Sequence, residues 1–132
     1  MRHTAIACGV LLCLGSAASA QAPDPYADSV AQAAKERRQR RHDDFMERAE
    51  VLSYAVGCKV VAPERAEAAM VYTYIAQATV LGADQPSIQR RELAETLSRS
   101  AALAQEKGCD FWKNNPDLVL EVRQSVLNRR MP

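Results

Sequence analysis

FMERAEVLSYAVGC, residues 45–58, is the stretch whose reading decides the fold. Phe45, Ala49, Leu52 and Val56 recur at i, i+4, i+7 and i+11, which puts them on one face of a helix and makes that face a core stripe. Gly57 then offers the left-handed stop common after a helix, and a cysteine, Cys58, follows at once. A helix that buries one face and ends on a cysteine needs other helices to pack against and a second cysteine to bond.

Upstream, nothing breaks a helix back to Tyr26, and the segment is rich in Ala, Glu, Gln and Arg, all strong helix formers. Its first half is different in kind. Lys35 to Asp44 is an unbroken polar run with no apolar position to bury, so about residues 26–44 read as a charged extension facing solvent or a polar surface. The pairs Glu36 with Arg40 and Asp44 with Arg48 have the favourable i,i+4 order, worth about 0.2–0.5 kcal/mol each. The five cations Lys35, Arg37, Arg38, Arg40 and Arg41 form the one basic cluster that could meet an anionic partner, such as lipid head groups, an acidic polysaccharide or an acidic protein face. The acidic residues that follow cancel their field within two turns.

Downstream, Pro63 suits a first helical position and Gly82 a stop, so a second helix spans 63–81. Between Ala68 and Leu81 it is apolar most of the way round, which marks it as the central, most buried element. A third helix follows the turn at Gly82–Pro86, with Leu93, Leu97, Ala101 and Ala104 as its stripe, and ends at Gly108. Arg91, Glu92, Arg99 and Glu106 are free to face out. Asn115 and Pro116 begin a last helix with Val119, Val122 and Val126 inward. Phe111 and Trp112 sit beside Cys109 and are expected to pack over that end of the core. No alternating β-type run appears. The expected fold is all-α: a small four-helix bundle, three core helices plus a C-terminal helix, with a long charged N-terminal helix and one disulfide.

The first twenty residues set the compartment. A short basic start at Met1–His3, an apolar run from Ala5 to Leu14 and the small residues Ala18-Ser19-Ala20 are the three zones of a signal peptide cleaved after Ala20. A lipid anchor fits poorly, because Leu11 and Leu12 before Cys13 are too bulky and Cys8 leaves too short an apolar run. Residues 21–25 are a flexible lead, and 26–132 form a single helical domain. Arginine supplies 13 of the 17 basic residues, a habit of GC-rich bacterial genomes, so the expected address is periplasmic or secreted.

Removing the leader takes Cys8 and Cys13 and leaves one pair, Cys58 and Cys109, in an oxidising compartment, where a disulfide is the default. Each follows a glycine that ends a helix, and in an up-down-up bundle those two ends lie together. The closed loop of about 50 residues should disfavour the unfolded chain by roughly 4 kcal/mol.

Losing Arg2 leaves 16 basic against 16 acidic residues, so no global field draws the chain to nucleic acid, and no stable membrane insertion is expected after cleavage. His42 is the single histidine after the leader and lies mid-way along a charged helix, a poor place for a base or a metal ligand. Asp43 and Asp44 point in different directions, and no phosphate loop, CxxCH or HExxH occurs. The expectation is therefore no enzyme, no cofactor and no metal. It is a secreted or periplasmic accessory protein that meets an envelope or secreted protein partner through its helical surface. Two alternatives remain: a stress holdase that exposes helix 2 when the bundle loosens, and a small-ligand carrier whose inter-helix pocket is lined by Met70, Tyr74 and Trp112.

Overall fold

The computed structural model describes Ala22 and residues 24–132, so the leader assigned to residues 1–20 lies outside the described residues. Six helices follow in order: α1 (Pro25–Gly57), α2 (Pro63–Leu81), α3 (Arg90–Ser98), α4 (Ser100–Lys107), α5 (Asp110–Asn114) and α6 (Pro116–Leu127), with a 3-10 turn at Gly82–Asp84 after α2. The described residues contain no strand, and the fold is the expected small all-α bundle. Asp24 caps α1 by accepting the Tyr26 N–H at 2.9 Å.

The core is centred on the second half of α1. Phe45, Ala49 and Leu52 of the expected stripe are fully buried, Val56 is only partly buried at its edge while Ala55 is sealed, and Met70 of α2, Leu103 of α4 and Val122 of α6 close around them. Trp112 on α5 is buried against Tyr54, ring centroids 5.3 Å apart, and covers the disulfide end; its neighbour Phe111 stays half exposed. The disulfide joins Cys58 to Cys109 across a Cα separation of 5.6 Å.

Four details depart from the sequence reading. Gly57 is not the left-handed stop: it is the last residue of α1, and Lys59 takes the positive φ of 59°. The Val60 N–H bonds to Ala55 O and the Lys59 N–H to Val56 O, the paired bonds of a Schellman end. Gly57 serves packing instead, since a Cβ there would lie 2.0 Å from the Ser100 carbonyl oxygen. Only a glycine lets α4 approach α1 so closely.

The expected third helix is two, interrupted at Arg99. Ser100 and Ala104 are the residues against Gly57, so the inward face of α4 carries Ser100, Leu103 and Ala104, and Ala101 faces out. A short helix, α5, carries Phe111 and Trp112. Finally, α2 is not the most buried element. Ala66, Ala69 and Met70 are buried, but Tyr72, Ile75 and Val80 are exposed: the C-terminal segment bonds to α2 at Tyr72 and Thr73 and does not cover Val80 two turns further on.

Candidate functional site

The uncovered part of α2 forms the floor of a cleft of about 560 Å³. Successive turns of one helix face, Tyr72, Ala76 and Val80, supply its apolar surface. Arg41 and Arg48 of α1 stand along one side, and Arg129 and Arg130, just past α6, along the other. Among the described residues no Asp or Glu lines it. Four guanidiniums around an apolar floor make a local positive field in a chain of near-zero net charge.

Two of these arginines are held by the fold. The Arg48 Nε and Nη2 donate to the carbonyls of Pro132 and Met131 at 2.8 and 2.9 Å. The Asp44–Arg48 pair expected from spacing does not form, because those carbonyls take the guanidinium instead. Arg129 has a φ of 54°, the left-handed position of a second Schellman end in which the Arg130 N–H bonds to Ser125 O and the Arg129 N–H to Val126 O. That backbone turn is costly for a side chain with a Cβ, by roughly 1–2 kcal/mol. It aims Arg129 at α2, where the guanidinium carbon lies 4.7 Å from the Tyr72 ring centre and Nη1 donates to the Tyr72 hydroxyl at 2.7 Å. Met131 is buried, and its N–H donates to Thr73 Oγ1 at 2.9 Å. The C-terminal segment thus bridges α2 to α1 and closes one end of the cleft. Arg41 and Arg130 are exposed and make no ion pair among the described residues.

The five basic residues of the charged run do not form one patch. Arg41 belongs to the cleft, Arg37 lies 3.5 Å from Asp84, and Lys35 and Arg38 line a separate hollow with His42, Gln85 and Pro86. Arg40 is exposed, and Glu36 accepts from Gln32 at 2.9 Å rather than pairing with Arg40. Seven consecutive positions wind almost twice around a helix, so nearness in sequence scatters the charges. His42 is partnered: Nε2 lies 2.7 Å from Glu92 Oε1 and Nδ1 3.3 Å from Asp43 Oδ1. Burial disfavours its charged form, but the hydrogen bonds and charges of Asp43 and Glu92 outweigh it and raise the pKa above 6.5. Glu92 is therefore a docking residue for α1 and not a free surface charge.

Met70, Tyr74 and Trp112 find different partners. Met70 is fully buried, Tyr74 packs edge-on against Phe45, and Trp112 sits with Tyr54 and Phe111 at the disulfide end. The cleft residues that sequence reasoning missed are Arg48, Arg129, Arg130 and Tyr72. The Tyr72-Ala76-Val80 spacing was visible, but nothing local distinguishes an apolar stripe that is covered from one that is left open. Among the described residues no cluster of three His, Cys, Asp or Glu could hold a metal ion, and no helix is long and apolar enough to cross a membrane. No family model matches this chain, and no curated protein or solved structure matches it either.

Proposed function

We propose that this chain is a non-enzymatic interaction protein, exported by a signal peptide cleaved after Ala20 to the bacterial periplasm or beyond, and that it binds its partner through the open face of α2. The single observation that carries the reading is that face itself: Tyr72 is 46% and Val80 82% exposed, next to four arginines. A small domain seldom leaves apolar side chains grouped beside a one-signed rim unless something binds there. The Cys58–Cys109 bond supports an oxidising address, and the tie between His42 and two carboxylates suits a docking contact better than a catalytic base.

Native mass spectrometry of the wild type and Val80→Asp, both purified from their exported compartment, tests this. The expected result is a chain beginning at Gln21 whose wild-type form carries an added protein or small-molecule mass that V80D lacks. A bare monomer in both, or a mass retained equally by V80D, overturns the reading.

A further inference from the structure

The shape and charge of the cleft define its ligand more narrowly than a surface contact does. Its floor runs along α2 from Tyr72 to Val80, a rise of about 12 Å of helix. One end is closed by the segment that ties Met131 to Thr73 and Arg48. The volume of about 560 Å³ lies in the range of small-molecule sites, roughly 300–1,000 Å³. A trough this short and blocked at one end suits a single flexible chain better than a partner helix, which needs room for several turns.

Charge narrows the class further. Arg48 and Arg129 are committed to backbone carbonyls and to Tyr72, so they build the walls. Arg41 and Arg130 have no partner for their planar donor forks among the described residues, and such forks match a carboxylate or phosphate two bonds at a time. A second copy of the chain meeting this face with its own would set four arginines against four.

Building on the interaction role proposed above, we infer that the cleft binds a single-chain anionic amphiphile: an acyl chain laid on Tyr72, Ala76 and Val80, with its terminal carboxylate or phosphate met by the uncommitted guanidiniums that flank the cleft, Arg41 and Arg130, one or both. Free fatty acid and alkyl phosphate share this chemistry.

The test is calorimetric titration of the delipidated, disulfide-closed chain with monomeric dodecanoate, dodecyl phosphate and, as the uncharged control, dodecyl maltoside. The expected result is saturable one-to-one binding of at least one anion, at least about tenfold tighter than the maltoside. The tighter anion identifies the head group. Arg41→Gln with Arg130→Gln should weaken anion binding by about tenfold or more while leaving maltoside binding and the melting temperature unchanged. Val80→Asp should weaken all three ligands. Equal affinity for maltoside and anions, indifference to the double arginine variant, or absence of saturation overturns the inference. A protein mass lost in V80D together with no dodecanoate or dodecyl phosphate binding sinks the amphiphile and leaves the interaction role standing.

Discussion

His42 shows how one side chain ties the charged half of α1 to the bundle. It lies between Asp43 on its own helix and Glu92 on α3, with Lys35 and Arg38 on the same hollow, and the carboxylates prevail. A pKa raised in the folded state contributes stability that is fully present below the unfolded value, near 6.5, and is lost as pH rises through the folded value. The wild type should therefore hold a melting-temperature advantage over His42→Gln at pH 5.5 that shrinks by pH 8.5. A gap that widens toward alkaline pH would reverse the assigned sign. The same measurement on Glu92→Gln should show a smaller pH-dependent gap, because one of the two carboxylates that raise the histidine pKa has lost its charge.

Among the elements, α4 packs closely on α1 at Gly57. The contact depends on Gly57, where an added methyl would meet backbone atoms of Ser100 that have no rotamer to escape into. Gly57→Ala should therefore cost about 3 kcal/mol or more, read from the midpoint of urea unfolding. A change under about 0.5 kcal/mol would show that α4 can slide away from α1 without loss. The α2 helix is the opposite case. Its first half is locked by Ala66, Ala69 and Met70, and its second half leaves Ile75 and Val80 exposed. The helix is continuous in both halves, since its backbone bonds form whether or not its faces are covered.

Across the whole molecule, the disulfide closes the loop that contains α2, α3 and α4, a separation of 51 residues. Replacing both cysteines by serine should remove roughly 4 kcal/mol of stability, because the unfolded chain regains the freedom that the loop denied it. Chemical denaturation of the double variant beside the oxidised wild type measures this, and coincident unfolding curves would show that the bundle does not depend on the bond. At the same scale, the C-terminal segment acts as a brace. Arg48 of α1 reaches carbonyls 83 and 84 residues further along the chain, and Met131 fills the gap between α1 and α2.

Sequence alone was sufficient for the helices around residues 45–57, 63–81 and 116–127, because helix formation depends on near neighbours: the i, i+4, i+7 spacing of Phe45, Ala49 and Leu52, and the prolines at positions 63 and 116. It was sufficient for the pairing of Cys58 with Cys109, since the other two cysteines, Cys8 and Cys13, fall in the segment read as a leader. Only the tertiary structure decided which stripes are covered. Met70 and Val80 look alike along the chain, yet one is sealed in the core and the other stands open, because covering them depends on helices and a C-terminal segment that arrive from distant positions. The cleft arose in the same way. Arg41, Arg48, Arg129 and Arg130 come from opposite ends of the chain, and no local pattern could bring them around Tyr72.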